Sequence, residues 1–303
     1  CGWYYTASGA DFKKIPGSPI AYWVSGQILN IFQKYKPISC YFSVNPGIRT
    51  GKDEYFLRLW FEVSIFNIQF GLHNSDEIEY YNKWFPIHKG GNFRKWYGNA
   101  EHIIDMYKDG SNIKSKSPDY RLREKIFYFK KFISWSRISS SDIAFRYFPN
   151  GVLFSDAGPG IFAKEESFNV ISLLNSKLGM CFLKIINPTL NYQKQDIAAV
   201  PFVVLNRSLE VNKIIEYEKT DWESQEKNWD FRVLPIVKSS RKNNSVLKSY
   251  AYLRNHWHRM THDVKFLEEE NNRIFIEAYG LQDELTPDVP LEEITLTCNP
   301  YYR

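Results

Sequence analysis

The chain has 303 residues, of which 44% are hydrophobic and 17% aromatic, and this composition predicts one large folded domain or two moderate ones and excludes extended disorder. No apolar run could span a bilayer and no secretory leader opens the sequence, so we expect a cytoplasmic protein without membrane contact. The net charge of +5 is unevenly distributed: residues 83–146 hold fourteen Lys or Arg against six Asp or Glu, whereas residues 205–303 hold fourteen against seventeen. Residues 83–146 therefore either bind a polyanion or form a solvated charged face.

Residues 1–20 predict a loop or the remnant of a preceding domain. The chain opens at Cys1 without Met, which suggests a piece of a longer polypeptide. A turn at Pro16 to Pro19 precedes a short amphipathic helix between Ile20 and Ile31. The four cysteines of the chain lack CxxC spacing, which argues against a zinc knuckle or a disulfide framework.

Residues 39–162 predict a region that is mostly β-sheet. Short runs rich in Tyr, Phe, Trp, Ile and Val alternate there with Gly, Asn, Asp and Ser, which is the pattern of strands joined by loops. The predicted strands are residues 54–63, 80–87, 125–135, 143–148 and 151–155.

Helical periodicity replaces this pattern after Glu166. One apolar stripe from Phe168 to Ile185 predicts a helix that covers a face of the sheet, and a second helix is predicted over residues 208–229. Beyond Val246, apolar residues recur alternately four and three positions apart, which predicts a long helix with a coiled-coil seam that pairs with the second helix. Asn271 on this seam either fixes the register or marks the end of the pairing. The predicted class is therefore α+β, a β-rich domain with a covering helix followed by long coiled-coil-like helices.

Motifs that would carry chemistry are absent from the sequence. No Asn-Pro dipeptide is followed by the second proline with which adenine methyltransferases hold an extruded base, and Gly158-Pro159-Gly160 lacks the third glycine of a cofactor loop. His258 and His262 have the spacing of zinc ligands, but Arg259 stands where a catalytic Glu would be. We therefore predict no catalytic residue, metal or cofactor in this chain; an independent metal-dependent hydrolase is the alternative that metal analysis would test.

Recognition of a polyanion is the function that the sequence favours. Three clusters combine basic residues with rings or hydroxyls, within residues 45–56, 83–99 and 134–148, and such residues reach phosphates and guanine edges. The first two contain glycines that let a backbone approach a neighbour closely. We expect His88, Lys89, Arg94 and Lys95 to be exposed. The proposed DNA contacts are Arg49, Thr50, Lys52, Lys89, Asn92, Arg94, Lys95, Arg137, Ser139, Ser140 and Arg146.

Several long motifs resemble one known family. NPGIRTGKDEYFLRLWFEV, KWFPIHKGGNFRKWYGN, ISWSRISSSDIAFRYFPNGVLFSDAGPGIF and INPTLNYQKQDIAAVPF look like the region after the catalytic domain in the PglX family, adenine-specific DNA methyltransferases of bacteriophage-exclusion (BREX) systems. The resemblance covers nearly the whole chain. The first and last of these motifs also look like target-recognition domains of type I specificity subunits and of fused restriction-methyltransferases.

The resemblance implies a parent enzyme that transfers a methyl group from S-adenosylmethionine to adenine N6, with its catalytic motifs upstream of Cys1. Residues 1–30 would then be the joint to the methyltransferase domain, residues 31–204 the target-recognition domain that binds double-stranded DNA, residues 205–280 a helical spacer, and residues 281–303 a tail. The alternative function is a protein-interaction module that docks other phage-defence proteins through its long helices.

Overall fold

The fold is described from a computed structural model, which describes residues 8–79, 81–139, 142–163, 168–205, 210–243 and 245–302. These residues form two four-stranded sheets and ten α-helices, which confirms the predicted α+β class. The strands are β1 (Ser43–Asn45), β2 (Leu57–Leu59), β3 (Trp84–His88), β4 (His102–Asp105), β5 (Phe132–Trp135), β6 (Phe145–Phe148), β7 (Leu153–Phe154) and β8 (Gly160–Phe162).

The first sheet has the strand order β1-β8-β5-β6 and is antiparallel throughout. The second sheet has the order β2-β4-β3-β7, and its β3 and β7 run parallel, with Ile87 opposite Leu153. All five predicted strand segments contribute to these sheets, whereas β1, β4 and β8 were not among them. Their sequences SVN, HIID and GIF hold one aromatic residue in all and lie outside the aromatic-rich runs that identified the other five.

The helices are α1 (Gly9–Phe12), α2 (Gly26–Lys34), α3 (Asp53–Phe56), α4 (Tyr107–Lys116), α5 (Asn169–Leu174), α6 (Lys177–Ile186), α7 (Lys194–Ala198), α8 (Val211–Glu223), α9 (Pro235–Asn243) and α10 (Val246–Tyr279). The predicted covering helix is therefore two helices. Ser176 ends the first and begins the second, because its hydroxyl accepts a hydrogen bond from the Gly179 amide at 3.1 Å. A Cβ at Gly179 would lie 2.1 Å from the Leu173 carbonyl oxygen, so this corner requires glycine.

Helix α10 is the long helix that the seam predicts. Its first turn is capped by Ser245, and it ends at Gly280, which adopts a left-handed φ of 73°. The seam residues Leu253, Met260, Val264 and Leu267 are buried and Trp257 is half-buried, whereas Val246 and Tyr250 at the start are exposed. Asn271 is buried and donates to the Ser172 carbonyl of α5 at 2.9 Å, so this polar seam residue joins α10 to a covering helix.

The largest hydrophobic core lies between the first sheet and the helices. It joins Trp135 and Phe145 of the sheet to Phe182 of α6, Phe275 of α10 and Leu296 beyond it, so it draws on residues from both sides of position 205. The division of the chain into a DNA-binding domain, a spacer and a tail at positions 204 and 280 stays a prediction. No helix in the described part of the chain is long and apolar enough to cross a membrane.

Candidate nucleic-acid interface

Three loops that carry predicted DNA contacts meet where β3 and β7 end. The loop after β1 joins β7 because the Ile48 amide donates to Phe154 O and Ile48 O accepts from Asp156 N, both at 2.8 Å. The loop after β3 joins the same place through Ser155 N and His88 O, 2.9 Å apart. Backbone hydrogen bonds therefore bring together segments that are about 40 to 100 positions apart in the sequence.

The loop after β5 completes this group. Arg137 N donates to Ala157 O at 2.9 Å, and the Ser136 hydroxyl donates to Gly91 O at 2.8 Å, which ties the β5 loop to the glycine pair that follows β3. Gly90 has a left-handed φ of 83°, and a Cβ there would lie 3.0 Å from the Ala157 carbonyl oxygen. The close approach of these loops thus depends on that glycine.

Two further arginines lie at the same place and were not among the predicted contacts. Arg121 and Arg49 exchange backbone hydrogen bonds of 2.8 and 2.9 Å, and Arg123 Nε donates to Gly47 O at 2.9 Å. The basic run RLREK at residues 121–125 was the available sequence signal. We call the surface formed by these loops the basic edge; its cations are Arg49, Lys52, Lys89, Arg121, Arg123 and Arg137.

Half of these cations are paired and half are not. Arg137 Nη1 lies 2.6 Å and Arg123 Nη2 3.6 Å from the Asp156 carboxylate, and Lys89 Nζ lies 3.2 Å from Asp53. Among the described residues no carboxylate forms an ion pair with Arg49, Lys52 or Arg121, and all three side chains are exposed. These three can therefore meet a ligand without leaving a described carboxylate, although Arg121 Nη1 donates to Tyr120 O at 2.6 Å, whereas the other three are paired with Asp53 or Asp156.

Four of the predicted contacts are buried, and the expectation that Arg94, Lys95 and His88 are exposed is wrong. Arg94 is only 3% exposed, and its Nη2 lies 2.9 Å from both Asp221 Oδ2 and Glu218 Oε2 on α8. Lys95 is 6% exposed and pairs with Glu268 of α10. These two cations hold the loop after β3 against the helices, so they are not available to DNA in this structure.

Arg146 and Thr50 are the other two. Arg146 is 1% exposed and donates to Arg94 O at 3.0 Å and to Ser136 Oγ at 2.9 Å. Burial, and secondly the charge of Arg94, lower the pKa of Arg146 to about 9. Thr50 is 2% exposed and donates its hydroxyl to Asp53, so it shapes the turn instead of facing solvent.

The remaining predicted contacts have mixed positions. Arg49, Lys52, Lys89 and Arg137 belong to the basic edge, and Asn92 is exposed next to its glycine pair. Ser139 is half-buried, with its hydroxyl 3.1 Å from Asp142 O. Ser140 lies outside the described residues. The role of all of these in binding DNA stays a prediction.

The buried carboxylates beneath the loops organise the C-terminal segment. Asp221 accepts hydrogen bonds from Thr297 N, Thr297 Oγ1 and Cys298 N at 2.7 to 3.0 Å, and Glu218 Oε1 accepts from Thr295 Oγ1 at 2.8 Å. Burial raises the pKa of Glu218 to about 8, although Arg94 opposes this shift. Both carboxylates therefore face Arg94, and burial favours the protonated form of Glu218.

Two other features bear on catalysis. Gly158 of the Gly158-Pro159-Gly160 turn packs on His88, since a Cβ there would lie 2.4 Å from His88 Cδ2. The turn is thus filled by the protein's own side chain and offers no cradle to a cofactor. His258 and His262 lie with their Nε2 atoms 3.2 Å apart on α10, and within the described ranges no three His, Cys, Asp or Glu residues form a group that could hold a metal.

Comparison with known proteins confirms the resemblance inferred from the motifs. No protein-family profile matches the chain. The chain is 34% identical, over 96% of its length, to the adenine-specific methyltransferase PglX of Lacticaseibacillus casei (strain Zhang), and 36% identical, over 97%, to the adenine-specific methyltransferase BrxX of Escherichia coli O9:H4 (strain HS). It spans 26% and 24% of these curated relatives, about a quarter of each. A solved structure of MmeI, a type IIL restriction-modification enzyme in complex with DNA, matches 88% of this chain and 36% of its own at 14% identity and a TM-score of 0.40.

Proposed function

We propose that this chain, which is similar to a quarter of the PglX and BrxX adenine-specific methyltransferases, is the part of such an enzyme that binds duplex DNA and recognises its target sequence. The observation that carries the proposal is the basic edge, where Arg49, Lys52 and Arg121 are exposed and form no ion pair with a carboxylate of the described residues. Arginine can bind guanine through O6 and N7, and both Arg and Lys bind phosphates.

The rigid support of the basic edge also favours recognition. Its loops are joined by backbone hydrogen bonds, and its paired cations Arg123 and Arg137 share Asp156. Side chains that present donors from such a fixed frame lose little conformational entropy when they bind. A charged surface that only contacts solvent would not require loops joined in this way.

In this proposal the chemistry belongs to other parts of the parent enzyme. That enzyme would transfer a methyl group from S-adenosylmethionine to adenine N6 in phage defence or restriction-modification, in the bacterial cytoplasm, and this chain would position the adenine. The flipped base must then lie within reach of residues 1–30, the predicted joint to the methyltransferase domain.

The test is binding of duplex DNA by a variant that combines Arg49→Gln and Arg121→Gln. If both arginines contact phosphates, the slope of log affinity against log salt falls by about 2, because each lost contact removes about 0.9. If either reads a guanine, its loss costs about 1–3 kcal/mol at one base position. The matched control combines Lys13→Gln and Lys34→Gln, two exposed lysines without an ion pair in the described structure.

Unchanged affinity and slope in the Arg49 and Arg121 variant would overturn the proposal. In cells, methylome sequencing with and without the intact parent gene would report the methylated site. The same two substitutions in the parent are expected to remove or relax N6-adenine methylation at that site.

A protein-interaction module is the second candidate, and one observation favours it. Val246 and Leu247 at the start of α10 are 67% and 78% exposed, which is unusual for large apolar side chains on a helix. The test is binding of another phage-defence protein. This candidate is supported over DNA recognition if that binding is independent of salt and if the double substitution Val246→Ser with Leu247→Ser abolishes it.

A further inference from the structure

One segment outside the basic edge has an unusual charge. Residues 231–262 contain seven Lys or Arg and three of the six histidines of the chain, yet no Asp or Glu. Acidic residues before and after this segment outnumber its basic ones, so the count over residues 205–303 as a whole does not reveal a strongly basic segment. This segment is α9 and the first half of α10.

The structure exposes the five Lys and Arg residues of this segment whose side chains it describes. Helix α9 packs against α10, and together they form a helical hairpin that we call the α9–α10 hairpin. Between Val246 and Trp257 only Ser249 and Leu253 are buried, so this part of α10 has most of its circumference in solvent. Lys238, Lys248, Arg254 and Arg259 are exposed, and none of the carboxylates in the described part of the chain forms an ion pair with them.

On α10 the basic side chains share one side of the helix. Lys248, Asn255, Arg259 and His262 follow one another at intervals of seven, four and three, which places them on a single stripe, and Arg254 and His258 form the neighbouring row. From Lys248 to His262 the stripe is about 21 Å long at about 1.5 Å per residue. Each strand of B-DNA presents a phosphate about every 3.4 Å along the axis, so the stripe spans about six base-pair steps.

The chemistry of the stripe favours phosphates over a protein partner. Protein interfaces exclude charge from their buried centres and are depleted in lysine, whereas this stripe carries Lys248 and Arg259, with Arg254 in the neighbouring row. Exposed Lys and Arg with Asn and His beside them are donors that bind a phosphate backbone without reading bases. No carboxylate would have to be displaced first, in contrast to Lys89, Arg123 and Arg137 of the basic edge.

We propose that the α9–α10 hairpin is a second DNA-binding surface, which contacts the phosphate backbone of a duplex independently of sequence. The inference rests on the proposed function only in taking duplex DNA as the ligand. The hairpin adds affinity and salt dependence, whereas the basic edge supplies the selection of sequence.

The experiment compares three variants of the chain. The hairpin variant combines Lys248→Gln, Arg254→Gln and Arg259→Gln; the edge variant combines Arg49→Gln and Arg121→Gln; the control combines Lys13→Gln, Lys34→Gln and Lys194→Gln and removes the same charge as the hairpin variant. All substituted side chains are exposed, and circular dichroism verifies that each variant is folded. The affinity for a mixed-sequence duplex is measured by fluorescence anisotropy between about 50 and 200 mM salt.

We expect the hairpin variant to lower the slope of log affinity against log salt by about 3, at about 0.9 per lost phosphate contact, while the control keeps the slope of the unaltered chain. An unchanged slope in the hairpin variant, or an equal decrease in the control, overturns the inference. So does a hairpin that binds an acidic protein but not a duplex.

The two proposals fail separately. If only the edge variant loses affinity, the proposed function stands and the hairpin has no part in binding. If only the hairpin variant loses affinity, the hairpin is a DNA-binding surface and the role of the basic edge is refuted.

Discussion

Substitution of Arg94 by Met is expected to destabilise the fold, although the sequence makes Arg94 look like a DNA contact. The guanidinium donates to Tyr97 O at 2.7 Å, to Glu218 O at 3.1 Å and to Asp221 Oδ2 at 2.9 Å, and it lies over the ring of Trp222. Methionine fills similar space but satisfies none of these acceptors, and it leaves the Asp221 carboxylate buried without its cation. Removal of one partner from a buried ion pair costs about 3–5 kcal/mol.

The assay is urea denaturation of Arg94→Met, with Arg49→Met as the matched control. Arg49 is exposed and unpaired among the described residues, so its substitution is expected to change the free energy of unfolding by no more than about 0.5 kcal/mol. The double variant Arg94→Met with Asp221→Asn is expected to recover part of the loss, because it removes the uncompensated charge while the one remaining oxygen still accepts from the Thr297 or the Cys298 amide.

Equal free energies of unfolding for Arg94→Met and Arg49→Met would refute the reasoning. So would a double variant that is less stable than the sum of its two single variants predicts, since the damage would then not come from the charge of Asp221.

Two further predictions concern Glu218 and the turn at Gly158. Burial raises the pKa of Glu218 from its ordinary 4.5 to about 8, so unfolding releases a proton between these pH values. The stability that Glu218 contributes is complete below about pH 4.5 and is lost as the pH rises through 8, at about 1.4 kcal/mol per pH unit. Urea titrations at several pH values should show a shallower decline of stability for Glu218→Gln. A pH profile that is the same for both chains would contradict this assignment. Gly158→Ala is expected to lower the free energy of unfolding by about 1–3 kcal/mol, because its Cβ would lie 2.4 Å from His88 Cδ2. The control Gly26→Ala, with nothing within 4 Å of its Cβ, is expected to be neutral or stabilising by up to about 1 kcal/mol. Thermal melts measure both. If the Gly158→Ala chain has the same melting temperature as the unaltered chain, the turn can move away from His88.

Features with a local cause could be predicted from the sequence. The helix from Val246 to Tyr279 follows from a repeated apolar pattern, and its start and end follow from Ser245 and Gly280. The PglX resemblance follows from long motifs that occur along nearly the whole chain. Helix α9 was missed because its nine residues carry too few apolar positions to define a stripe.

Burial of the charged side chains could not be predicted, because their partners are remote in the sequence. The pairs Arg94 with Asp221 and Lys95 with Glu268 are separated by 127 and 173 positions. In the sequence, Lys89, Arg94 and Lys95 belong to one cluster of basic and glycine residues that suggests a ligand. The structure divides that cluster between a surface loop, where Lys89 stays, and an interior ionic network that takes the other two.

The ionic contacts of Asp221 and Glu268 have a consequence for how specificity could be exchanged between relatives. The loop after β3 supplies Arg94 and Lys95, while their counter-charges come from α8 and α10 and the threonines that complete the network come from the C-terminal segment. A chimera that transplanted only the strands and loops of one parent would place foreign cations over these carboxylates and leave some of them unmatched. A stable chimera must therefore take the sheets, the helices and the C-terminal segment from the same parent.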